Sequence, residues 1–202
     1  MTRSYLLAAA ALALAACSSP PVHYHTLSAP LPSGAQRPAN VATPFAIELL
    51  PVGIPAQLDQ ERLVVRQDVA GLVIQDGERW SGPYADEIRN ALATRLAASL
   101  QTQDVTGLGK SAGQAVMRVQ LQVRRFDAWV GEKVSFEATW RLGLADSGDN
   151  ARLLCTSRFD LPARGGYPEL VQAQQLVIAR LATEIAASAR AWNGPAGGSC
   201  AK

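Results

Sequence analysis

The chain predicts an α/β (α+β) fold: a two-layer sandwich in which a mainly antiparallel sheet of about six strands is covered on one face by two helices, in the order βββαβββα. Three observations carry this. Three segments between Met117 and Leu161 alternate apolar and polar residues with period two, the pattern of a sheet wetted on one side. Two segments, ahead of Gln101 and ahead of Trp192, repeat apolar residues every three or four positions, the stripe of a helix lying on a core. Short apolar runs bounded by turn residues precede the first of those helices, as short strands do.

The folded domain is expected over residues 44–192. Phe45 to Val52 is an apolar run between Pro44 and Pro51 that suits a strand. Arg62–Gln67 and Gly71–Gln75 read as two strands of a hairpin turning at Asp68-Val69-Ala70-Gly71. A helix then starts, with Ser81 or Gly82 as its cap, Pro83 in its first turn and Asp86 and Glu87 where the helix dipole favours acids. Ile88, Leu92, Leu96 and Leu100 form its stripe, and it ends near Gln101. Met117, Val119, Leu121 and Val123 alternate with Arg118, Gln120, Gln122 and Arg124. Val134 through Leu144 and Leu153 through Leu161 do the same, with a turn at Asp146-Ser147-Gly148-Asp149. The second helix runs from Tyr167, with Pro168 in its first turn and Leu170, Val177, Leu181 and Ile185 buried. The helices should cover the apolar sheet face and leave Arg118, Arg124, Arg141 and Arg158 on the other, a face that is either solvated or a docking surface.

The N-terminus has a different character. Arg3 is followed by an apolar stretch from Tyr5 to Ala16 that is too short to cross a bilayer. It ends in Leu14-Ala15-Ala16-Cys17. A positive start, a short apolar core and small residues before a cut mark a secretory signal peptide, and cysteine directly after them resembles the lipobox of bacterial lipoproteins. Residues 1–16 are therefore expected to be removed and Cys17 to carry covalent lipid as residue one. Removal of 16 residues from 202 leaves 186, a length that fits one domain. Without Arg3, 18 basic side chains face 17 acidic ones, which gives no electrostatic footprint for nucleic acid. Residues 17–43 read as the anchor and a proline-rich tether of about 90 Å maximum reach, except that Tyr24-His25-Thr26-Leu27 suits a sheet edge. Residues 193–202, NGPAGGSCAK, read as a flexible tail. With Cys17 acylated, Cys155 and Cys200 remain. They are a candidate disulfide, since such bonds persist in the periplasm; the alternative is a buried Cys155 and a free Cys200.

Several motifs suggest chemistry and fail on context. Gly109-Lys110-Ser111-Ala112-Gly113 matches the nucleophile elbow, but that elbow joins a strand to a following helix, and here a helix precedes and a strand follows. As a phosphate loop it lacks the first glycine, with Asp104 in its place. His23 and His25 alone make a weak metal site without a third ligand nearby in sequence. No catalytic residue, metal or diffusible cofactor is expected. Arg79 and Trp80, ahead of the first helix, are the candidate partner-contact residues, although a tryptophan at the start of a helix is more often core.

The succession of a lipobox, Tyr24-His25-Thr26-Leu27, the segment LLPVGIPAQLDQERLVVR from Leu49 to Arg66, Arg79-Trp80 and a leucine-rich helix resembles the PqiC/YmbA-type family of ABC-transport auxiliary lipoproteins, also described as membrane-integrity-associated transporter subunits. The strongest part is I-P-x-x-L-D-x-x-x-L-V-x-R, formed by Ile54, Pro55, Leu58, Asp59, Leu63, Val64 and Arg66. His25 stands where a second tyrosine is common, and the Cys200 tail is individual. The resemblance implies a non-enzymatic protein on the periplasmic face of the outer membrane, working with an MCE-domain protein of the inner membrane to move lipids or maintain the barrier. Ser18 after the lipidated Cys17 is the usual outer-membrane sorting residue. A homo-oligomer would suit an end-cap on a tubular partner. The reading held beside this one is a free-standing periplasmic carrier that holds lipid between sheet and helices.

Overall fold

The computed structural model describes residues 21–30, 43–146, 152–192 and 198–201. The elements, in chain order, are β1 (His23–His25), β2 (Phe45–Leu49), a 3-10 turn (Ala56–Leu58), β3 (Arg62–Arg66), β4 (Leu72–Trp80), α1 (Tyr84–Leu100), β5 (Ala115–Trp129), β6 (Lys133–Leu144), β7 (Arg152–Pro162) and α2 (Tyr167–Arg190). This is a mixed α+β sandwich with two helices, as the sequence predicts. The strands form two sheets where one was expected: a four-stranded sheet ordered β2-β5-β6-β7 and a three-stranded sheet ordered β1-β4-β3.

The large sheet follows from the alternation. Met117, Val119, Leu121 and Val123 are buried, while Arg118, Gln120, Gln122 and Arg124 between them are exposed. The alternation breaks at Arg124-Arg125, where the β5–β6 register shifts. An extra residue in one strand resets which way the next side chains point, so Phe126 and Ala128 turn inward again and β5 continues to Trp129. The expected strand ended at this bulge because its polar pair looks like a terminus.

Two pairings are parallel. Phe45–Leu49 runs beside Ala115–Val119, and His23–His25 runs beside Glu78–Trp80. The β4 strand is also longer than its predicted Gly71–Gln75. It continues through Asp76 and Gly77 to Trp80. Arg62 Nη1 donates to Asp76 Oδ1 at 3.1 Å across the hairpin. At Gly77 a Cβ would lie 3.6 Å from the Pro21 carbonyl oxygen, an ordinary contact, which places the incoming chain directly alongside β4.

The helices cover the inner face of the large sheet and run side by side in one direction. Arg190 at the end of α2 donates to the Ser99 carbonyl at the end of α1. Ile88, Leu92, Leu96 and Leu100 from α1 and Leu170, Val177, Leu181 and Ile185 from α2 are all buried. The expected cap of α1 differs, since Pro83 holds the cap position with no side-chain bond. In α2 the Glu169 carboxylate reaches back to the Gly166 N–H at 2.8 Å. The two sheets are joined by a row of aromatic rings. Trp80 stacks on Tyr84 (4.7 Å), Tyr84 meets Phe126 (5.8 Å), Phe126 meets Phe136 (4.9 Å) and Phe136 meets Phe159 (6.1 Å).

Candidate functional site

Cys17 lies outside the described residues, as do the signal segment and residues 31–42 and 193–197. The chain becomes described just after Cys17, and there it is held firmly. Pro21 and Val22 lead into β1. His23 Nδ1 lies 3.1 Å from one oxygen of Glu78, and His25 Nε2 lies 2.5 Å from the other. His25 also sits edge-on to Trp80. Past the strand, the Thr26 hydroxyl and the Leu27 N–H donate to the same Glu87 oxygen at 2.7 and 2.8 Å. Ser81 Oγ donates to the second Glu87 oxygen at 2.5 Å, and Gln175 Nε2 donates to the Thr26 carbonyl at 2.8 Å. Leu27 is fully buried. Residues 23–27 are therefore part of the domain, clasped by β4, α1 and α2, rather than part of a long leash.

Sequence reasoning missed both carboxylates of this clasp. Glu78 is 55 positions from His23, and no spacing rule links them; only the parallel register, His23 opposite Glu78, does. Glu87 reads as a helix-dipole acid, but its burial to 8 % exposure shows that its charge is used by the N-terminal segment. Glu78 also supplies the acid that the histidines lacked in sequence. Even so, no group of three or more acidic, histidine or cysteine side chains among the described residues is placed to hold a metal ion.

The candidate contact pair separates. Trp80 is 3 % exposed and lies inside the aromatic row, so it offers no surface to a partner and is core, as a tryptophan at a helix entrance more often is. Arg79 is half-buried on β4, with its Nε buried and without a hydrogen-bond partner among the described residues.

The arginine-bearing face of the large sheet is as expected. Arg118 pairs with Glu48 at 2.6 Å and Arg158 with Glu137 at 3.1 Å, each directly across a strand boundary. The hydrogen bond from Arg158 holds the Glu137 carboxyl below its ordinary pKa, and the bond to Glu48 raises that of Arg118. These exposed pairs are worth little stability. Arg141 makes no ion pair among the described residues, and it lines an open groove of about 270 Å³ with Gln120, Gln122, Arg124, Thr139 and Leu154. In the Gly109–Gly113 stretch, Lys110 Nζ lies 2.6 Å from both Asp146 oxygens and Ser111 lies in the connection between α1 and β5.

Cys155 and Cys200 are bonded, with Cα atoms 5.8 Å apart. The described end of the tail, residues 198–201, lies against the domain rather than swinging free: Ala201 N–H donates to Ser188 Oγ at 2.9 Å.

The motif from Ile54 to Arg66 proves to be a joint. Gly53 N–H donates to the Leu121 carbonyl and Val123 N–H to the Gly53 carbonyl, which carries the chain along β5. Leu58 and Leu63 enter the core, and Arg66 Nε donates to Asp127 Oδ1 at 2.9 Å, tying β3 to β5. A profile of the family described as "ABC-type transport auxiliary lipoprotein component" matches residues 25–186. The chain belongs to this family. The match begins at His25, inside the clasp, and includes the joint and both helices. A solved structure titled as an uncharacterized protein superposes with a TM-score of 0.64 at 18% identity, covering 83% of this chain and 98% of that one. A Xanthomonas campestris protein of the DUF330 family superposes at 0.58 and 16% identity, covering 74% and 85%. At these identities the likeness is one of fold. Curated protein sequences give no match.

Proposed function

We propose that this family member is an outer-membrane-anchored periplasmic lipoprotein that serves as the non-enzymatic docking subunit of an MCE/ABC-type lipid-transport system. The family match over residues 25–186 carries the reading. The lipobox ending at Cys17 and Ser18 after it support the anchor and its sorting to the outer membrane. Each buried methylene of the acyl chains contributes ~0.8 kcal/mol, and more than one chain holds stably. Confinement at one surface raises the effective concentration of the domain for a partner reaching across the periplasm. The arginine-bearing face, on which Arg141 has no ion pair among the described residues, is the surface offered to that partner.

The geometry disfavours the carrier reading. The enclosed space beside Trp80, Tyr84, Phe126 and Gln174 is about 10 Å³, while sites that bury a small ligand span roughly 300–1,000 Å³. Mild-detergent extraction followed by native mass spectrometry tests both readings. An acylated chain that travels with an MCE-domain protein supports docking, and the same spectrum reads self-association. A monomer that carries non-covalent lipid and no partner overturns docking in favour of the carrier.

A further inference from the structure

We infer that the β3–β4 hairpin tip is a membrane-contacting surface that rests Val69, Leu72 and Ile74 in the phospholipid interface beside the lipidated Cys17. The inference rests on the anchor reading above. It starts from the direction of β1. Because β1 runs parallel to β4, with His23 opposite Glu78, the chain ahead of His23 leads back along β4 toward the hairpin tip. At Pro21 it is still beside Gly77. Four residue steps separate Pro21 from Cys17, a maximum reach of about 14 Å. Ile74 and Leu72 lie three and five strand rises from Gly77, about 10 and 17 Å toward the tip. Cys17 is thus within reach of the tip, and a membrane holding its lipid lies within about 14 Å of Pro21 rather than a long tether away.

The tip is built for that neighbour. Val69 is 97 % exposed, Ile74 43 % and Leu72 37 %, three large apolar side chains within six residues. Scattered exposed apolar residues are ordinary, but a contiguous group marks an interaction surface. The charges nearest the tip each have a partner, an opposite charge or, for Asp68, backbone N–H groups. Arg66 is held by Asp127, Arg62 by Asp76, and the Asp68 carboxylate accepts the Ala70 and Gly71 N–H groups at 2.8 and 2.6 Å. A covalent lipid beside an apolar tip that enters the headgroup layer makes a two-point attachment, which fixes orientation as well as position. It directs the opposite end of the large sheet away from the membrane. Asp127, bound to Arg66, lies ten residues along β5 from Met117, about 33 Å.

Spin labelling of the mature, acylated full chain tests this in vesicles of phosphatidylethanolamine and phosphatidylglycerol. With Cys17 acylated and Cys155 bonded to Cys200, a cysteine introduced by Val69→Cys or Ile74→Cys is the one free thiol. Leu108→Cys, 82 % exposed at the far end, is the reference. On reconstitution the labels at 69 and 74 should lose collisions with an aqueous nickel chelate and gain collisions with oxygen, while the label at 108 changes neither. An acylated protein whose labels at 69 and 74 stay as water-accessible as the one at 108 overturns the inference and leaves the anchor reading intact. So does protection that needs an added envelope protein, because the tip would then be a protein-docking site. A mass without acyl chains on Cys17 overturns the anchor reading and this inference with it.

Discussion

Replacing Glu87 with alanine should loosen the N-terminal segment far more than its place in a helix first turn suggests. As a dipole partner alone, an acid there is worth about 0.3–1 kcal/mol. The structure gives it three donors: the Leu27 N–H, the Thr26 hydroxyl and the Ser81 hydroxyl. Leaving a buried N–H unpaired costs about 1–3 kcal/mol, and each hydroxyl, free to turn toward water, adds roughly 0.5–1. These sum to about 2–5 kcal/mol, and the expected loss is about 2–3 kcal/mol. It is capped because a detached segment also forfeits the burial of Leu27, about 1.5–3 kcal/mol, and detachment then becomes the cheaper route. Urea unfolding reads the total, and native-state hydrogen exchange of residues 23–27 shows where it falls. Glu87→Gln keeps an acceptor for one donor and should lose about 1–2 kcal/mol. A loss below about 1 kcal/mol in Glu87→Ala, with the Leu27 amide as protected as before, would refute the clasp.

Three further outcomes are expected. Tyr84 is buried, and burial pushes its phenol well above the ordinary value near 10, with Glu87 adding to it. Its proton is kept in the folded state and released by the unfolded chain above about pH 10, so the stability it contributes is present below that pH and lost as pH rises through the folded value. Tyr84→Phe should flatten the alkaline fall in unfolding free energy. It should cost less than about 1 kcal/mol at neutral pH, since the hydroxyl has no hydrogen-bond partner among the described residues. Cys200→Ser opens a link across 45 positions and should lower stability by about 4 kcal/mol on the chain-entropy account; dithiothreitol should move the wild-type denaturation midpoint to the same place and leave the variant unmoved. Arg141→Glu should leave the unfolding free energy within about 0.5 kcal/mol and reduce capture of the MCE-domain protein proposed as its partner; unchanged capture would remove this face from the proposed docking surface.

What the sequence made legible follows the range of the interactions. Period-two alternation is local, so β5 could be read as far as Arg124 and β6 and β7 nearly whole, and the helices could be read from their stripes. The bulge at Arg124-Arg125 was hidden because a change of phase and a strand end look alike until the partner strand is seen. The parallel pairs were hidden for a different reason: His23–His25 is too short to carry a period, and its partner is 55 residues away. The second half of β4 was hidden because Asp76, Gly77 and Glu78 carry no apolar alternation, and only the partners in β1 and β3 extend the strand to Trp80. The site divided in the same way. The arginine face was visible from alternation, whereas Glu78 and Glu87 acquire their roles from chain segments far away.

The parallel direction of β1 also has a mechanical side. A load applied ahead of His23 and drawn toward the hairpin tip acts along the strand, not across it. Bonds pulled along the strand share the load together, while bonds pulled across it would break one after another. Behind the three paired residues, the Glu87 carboxylate grips Thr26 and Leu27 like a knot behind an eyelet. A pull on a chain fastened this way loads the β1–β4 bonds and the Glu87 contacts together rather than in turn.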